Sequence, residues 1–239
     1  MNNILGDLVC SVRSTVSQGF RSLPVLLAGS ILVLGLAQGN INLMFFFVGM
    51  FILTPFATVL FNLINDYLFK IWPFTMIDSL FWKSPNANAE QCTLFATPEK
   101  DKEFGMPIAG CVVPSYWMTI MAFFFSYLYA NASELYNKPV QKHSPEQLVT
   151  ARQSQAMISM LIITVTAILF TLFRYATSCE TALGIFVSWL VGFLLATGWY
   201  AFMRSCGLGR LDDIFGINNQ LLPHQSYEDE APKICVPMV

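Results

Sequence analysis

From Leu23 to Ile64 the chain runs 42 residues without an Asp, Glu, Lys or Arg. A hydrocarbon core about 30 Å thick is crossed by roughly 20 apolar residues of helix. A run of this length therefore holds two crossings back to back. Only Gln38-Gly39-Asn40-Ile41, closed by Asn42, is left for the turn between them. Lipid offers backbone N–H and C=O groups no partners, so long apolar runs of this kind take helical form. The sequence thus reads as an all-α, multi-pass integral membrane protein. Its charged content of 12% agrees, since soluble domains carry about 25%.

Three further charge-free stretches follow: Phe104 to Ser133, Gln153 to Phe173 and Thr181 to Met203. Gly105, Pro107, Gly110 and Pro114 disfavour helix at the start of the first, which places its crossing after Pro114. About five transmembrane helices result, at 23–39, 42–64, 115–135, 155–173 and 182–203. The first is the shortest, and a re-entrant form of it would reduce the count to four. Tyr67, Trp72, Tyr116, Trp117, Tyr129, Tyr136, Tyr175, Trp199 and Tyr200 stand near the expected ends, as aromatic residues at the headgroup level do. Glu134 and Arg174 also fall at helix ends, where long charged side chains reach the headgroups. On the five-helix reading, seven Lys and Arg residues flank the side of the N-terminus and six the other. The positive-inside rule decides no orientation from that count.

Residues 1–22 carry Ile4, Leu5, Leu8, Val9, Val12, Val16 and Phe20 at three- and four-residue steps, with Asp7, Ser11, Ser14, Thr15 and Gln18 largely opposite. This is the pattern of an amphipathic interfacial helix, with Pro24 allowing a bend into the first crossing. An n-region of this length containing Asp7 does not fit a cleavable signal.

Pumps and transporters hold ionisable groups or broken helices near the bilayer midplane. The interiors of these spans have no charges, and Pro55, Asn62 and Ser30 are their main irregularities. Gly184, Ser188, Gly192 and Ala196 recur at four-residue intervals on the last helix, and Gly35 and Gly39 form a shorter version on the first. Small residues at this spacing admit close helix packing. The groove serves either the same bundle or self-association with a partner helix.

Outside the spans lie a loop, 65–114, and a C-terminal tail, 204–239. The loop is broken by Pro73, Pro85, Pro98, Pro107 and Pro114 into short turns, with room for a strand pair. The tail offers apolar residues for a protein partner: Ile214, Phe215, Ile217, Leu221, Leu222, Ile234 and Val236. Cys10, Cys92, Cys111, Cys179, Cys206 and Cys235 show no metal-ligand spacing, and His143 and His224 are isolated. Buried free thiols are the default; Cys92 and Cys111 share a loop that a disulfide can bridge in an oxidising compartment. No hydrolase, zinc-protease or P-loop signature is present. The reading is therefore non-enzymatic, with no metal and no cofactor. A net charge of −2 argues against nucleic acid as a partner.

The segments Arg204-Ser205-Cys206-Gly207, Asp213-Ile214-Phe215-Gly216-Ile217, Gln220-Leu221-Leu222-Pro223 and Cys235-Val236-Pro237 together resemble the C-terminal region of multi-span membrane proteins encoded by large DNA viruses of algae. The resemblance covers about 35 residues. It implies a virion component, a minor capsid-associated protein that links an internal membrane to jelly-roll capsid proteins through its loop and tail. Two other expectations stand beside it. One is an accessory subunit of a cellular membrane complex. The other is a small channel or transporter, which requires a polar cavity lined by residues such as Asn62, Ser126, Thr164 or Thr197.

Overall fold

The computed structural model describes residues 2–71, 92, 113–137 and 146–206. These form helices α1 (Asn2–Gln38), α2 (Ile41–Val48), α3 (Thr54–Ile71), α4 (Tyr116–Asn137), α5 (Glu146–Ala176) and α6 (Ala182–Ser205), with a π turn over Gly49–Leu53 joining α2 to α3. Among the described residues there is no strand. The strand pair considered for the loop, most of the tail and its apolar residues Ile214, Phe215, Ile217, Leu221, Leu222, Ile234 and Val236 lie outside the described residues.

The tight turn after the first crossing forms as its composition demands. Gly39 takes a left-handed φ of +62°, its N–H donates to the Leu36 carbonyl at 3.3 Å, and the Asn40 N–H donates to the Gly35 carbonyl at 2.9 Å. Two carbonyls of the last turn are thereby satisfied. Asn40 then caps α2, its side chain accepting from the Asn42 N–H at 3.0 Å. Gly39 is thus a turn residue with open space around it, not the helix-packing residue of the sequence reading. Gly35 does face the neighbouring helix: a Cβ there would lie 3.2 Å from the Leu43 Cβ.

α1 departs from expectation in continuing as one helix through Pro24, where a bend between two helices was expected. At about 1.5 Å per residue, its 37 residues reach well past the hydrocarbon core. Pro24 has no N–H, so the Phe20 carbonyl loses its main-chain donor. The Trp117 indole N–H donates to that carbonyl at 3.1 Å, and this contact compensates the loss. Pro55 follows a comparable adjustment. The π turn lies just upstream of it, with both the N–H and the hydroxyl of Thr54 directed at the Gly49 carbonyl.

α4 is the centre of the bundle. Trp117 through Phe123 are buried without interruption, and a helix apolar around its whole circumference belongs in a core. α6 runs parallel to it. Ser188 meets Ser115 at one end, and Tyr200 and Arg204 meet Glu134 at the other. Between these points the small-residue stripe permits the contact. A Cβ on Gly192 would lie 2.6 Å from the Ala122 Cβ and 2.8 Å from the Thr119 carbonyl oxygen. Gly184, Ser188, Gly192 and Ala196 are all buried within the chain. The groove is therefore occupied by α4 and is not open to a second copy.

Four helical segments are long and apolar enough to cross a bilayer: Gln18–Gln38, Ile41–Ile64, Val149–Ala176 and Ala182–Ser205. By length and apolarity the count is four, where five were expected. The first segment is long and apolar enough for a full span. The missing fifth is α4, whose Tyr, Trp, Ser and Asn residues lower its apolarity. Its burial explains how it tolerates them: α4 accompanies α6 through the same depth while the other helices shield it from lipid. Their outward faces are apolar, as Leu26, Val33 and Leu36 on α1 and Leu161, Ile162 and Leu169 on α5 illustrate. Exposed apolar surface on this scale marks a surface that meets lipid. The chain is an all-helical polytopic membrane protein.

Candidate functional site: a clasp at one end of the bundle

The end where α5 turns into α6 carries the densest set of polar contacts among the described residues. Its local structure repeats that of the first turn. Ser178 takes a left-handed φ of 53°, and its N–H donates to the Tyr175 carbonyl while that of Cys179 donates to the Arg174 carbonyl. This closure brings the chain round so that Cys179, Glu180 and Thr181 follow directly. Thr181 caps α6, accepting from the Gly184 N–H at 3.1 Å.

Cys179 is bonded to Cys92, 87 residues away in sequence. This corrects both sequence expectations for Cys92, a free thiol or a bridge to Cys111. Arg174 is likewise corrected: its side chain is 3% exposed and does not reach for headgroups. Its Nη2 donates to Glu180 Oε1 at 2.8 Å and to the Cys92 carbonyl at 3.2 Å, and its Nε donates to the same carboxylate oxygen. The guanidinium lies over the Trp117 ring, 4.8 Å from its centroid, a favourable placement for a desolvated cation. Glu180 Oε1 also accepts from the Ser115 hydroxyl at 2.7 Å, while the Ser115 N–H donates to Ser188 Oγ at 3.0 Å.

The charges suit the helix ends that hold them. Arg174 sits in the last turn of α5 and Glu180 just before the first turn of α6, each opposite in sign to the local end of the helix dipole. Breaking such a pair by removing one partner leaves an uncompensated buried charge. The clasp extends to α1 through Phe20, which stacks on Trp117 at 5.1 Å and meets Phe170 and Phe173 as well. Cys92, α1, α4, α5 and α6 are thus joined at one end.

A smaller tie closes the opposite end. The Tyr200 hydroxyl donates to Glu134 Oε2, and Arg204 pairs with Glu134 Oε1 at 3.3 Å. Between the ends, Trp199 donates its indole N–H to the Phe45 carbonyl at 3.1 Å. Gly49 makes room for this, because a Cβ there would fall 2.6 Å from the Trp199 indole nitrogen.

Trp117 and Tyr200 are buried and so do not belong to the expected aromatic belt, whereas Tyr67, Tyr129, Tyr136 and Tyr175 are exposed. Two of the four polar residues expected to line a channel, Thr164 and Thr197, are engaged within their own helices. The Thr164 hydroxyl donates to the Met160 carbonyl on the outward face of α5, and that of Thr197 donates to the Phe193 carbonyl. Among the described residues no group of three or more His, Cys, Asp or Glu is placed to hold a metal ion.

The sequence reading missed the partnership of Arg174, Glu180, Cys92 and Cys179. One signal pointed to it: the five-helix reading already puts loop 65–114 and the α5–α6 turn on the same side.

No protein-family model, curated protein or solved structure matches the chain.

Proposed function

We propose that this chain is a non-enzymatic structural membrane protein of a virion, linking an internal membrane to capsid proteins through its 204–239 tail, with the 65–114 loop as a second grip on the opposite face. The observation that carries the anchoring part is the clasp. An anchor holds position only when its lipid-embedded part is fixed relative to the segments outside it. Here a covalent bond and a buried ion pair join Cys92 to the bundle, while Trp117 ties α1 to α4 at the same end. The virion setting rests on the resemblance of the C-terminal segment.

A transport reading is less well supported. The threonine hydroxyls on α5 and α6 are hydrogen-bonded within their own helices, and α4, at the centre, presents a close-packed aromatic surface. Phe123 stacks with Phe46 there, and Tyr127 meets the same ring at a tilt.

Deletion of 211–239 tests the anchor. The truncated chain is expected to insert in membranes normally but to be lost from the assembled particle. Retention at normal levels in the particle would rule out the tail as a grip.

A further inference from the structure

We infer that the two ends of the bundle face compartments of opposite redox character, the clasp end an oxidising one and the α6 C-terminal end a reducing one. The inference rests on the membrane-embedded bundle and is independent of the anchoring role. Its first support is the bond between Cys92 and Cys179, since disulfides persist where thiols are not kept reduced. Its second is Cys206, which caps the opposite end of α6 as an exposed, unbridged thiol. In an oxidising compartment such a thiol is open to oxidation and to pairing between molecules.

The bundle geometry keeps these two environments apart. α6 has Thr181 at its start and Cys206 at its end, with 24 helical residues between them, about 36 Å at 1.5 Å per residue. That is enough to span the hydrocarbon core. The chain leaves Cys179 on one face and reaches Cys206 on the other. α4 follows the same direction, from Ser115 at the clasp to Glu134 beside Arg204.

Redox asymmetry supplies the orientation that the near-equal Lys and Arg counts do not. It also assigns the environment of the two outer segments. The chain around Cys92 lies on the oxidising side. The tail leaves α6 on the reducing side, so any partner it grips is a protein exposed to that compartment.

Two measurements on the full-length chain test this in microsomes, whose outer face is cytosolic. In the first, a glycosylation acceptor is inserted either a few residues downstream of Cys92 or in the tail near Glu228. The first insertion is expected to add one glycan and the second none; a glycan on the tail insertion would overturn the inference. In the second, Cys10, Cys111 and Cys235 are replaced by Ser, so that Cys206 is the one thiol left outside the bridge. A membrane-impermeant maleimide is expected to label Cys206 fully in sealed microsomes. Labelling that appears only after detergent would contradict the assignment. Because neither experiment needs a partner, failure of the anchor proposal would leave this result standing.

Discussion

The Trp117 indole donates a hydrogen bond to the Phe20 carbonyl at 3.1 Å, the carbonyl that Pro24 deprives of its main-chain donor. One side chain of the central helix therefore lets α1 carry a proline without a break. The same indole ring receives the Arg174 guanidinium, so Trp117 couples the backbone of α1 to the charged clasp.

Trp117→Phe should destabilise the bundle by about 1–3 kcal/mol, the cost of leaving a buried acceptor unsatisfied. Pro24→Ala returns an N–H to Phe20 and should reduce the loss caused by Trp117→Phe. Unfolding titrations in detergent micelles on the two single variants and the double variant measure this coupling. Strict additivity would show that the indole N–H does not compensate for Pro24.

The Arg174–Glu180 pair predicts a different pattern. Arg174→Met alone strands the Glu180 carboxylate and should cost about 3–5 kcal/mol, as should Glu180→Leu for the opposite reason. The double variant should be more stable than either single one, because no unpaired charge remains. The same unfolding assay reads this directly.

Glycines on α6 should separate by what surrounds them. Gly192→Ala drives a methyl into the Thr119 carbonyl and the Phe123 amide nitrogen, main-chain atoms that cannot rotate aside; a loss of about 1–3 kcal/mol is expected. Gly198 has open space around it, and Gly198→Ala should be neutral or gain about 0.5–1 kcal/mol from helix propensity. Thermal aggregation midpoints of the two variants provide the comparison.

Removal of the bridge by Cys179→Ser should lower stability by about 2–4 kcal/mol. It should also abolish the mobility difference between reduced and unreduced protein on a denaturing gel. Limited proteolysis should then cut the chain near Cys92 sooner than in the parent.

Much of the fold was legible because lipid restricts the choices. The charge-free run across Gly39 and Asn40 dictates a hairpin, and the four-residue stripe through Gly192 dictates close packing of α6, although not the identity of its neighbour. α4 was harder to interpret, since its tyrosines and asparagines lower its apolarity while its burial at the centre makes them tolerable. The clasp was the least legible element. Arg174 at the end of an apolar run resembles a headgroup-facing cation, and only the fold brings Cys92 and Ser115 to it from distant positions. Gly39 and Gly35 show the limit of spacing as a guide: their four-residue separation looks like a packing motif, but the left-handed φ of Gly39 makes it a turn residue.

The central claim is that the chain anchors a membrane to a protein shell. Cross-linking mass spectrometry on the native particle or membrane tests it most directly, with Lys83, Lys100, Lys102 and Lys233 as reporters. The anchor account predicts links from Lys233 to jelly-roll capsid proteins, with the three loop lysines linking to partners on the opposite face. Links confined to other helical membrane subunits would contradict it and assign the chain to a cellular membrane complex.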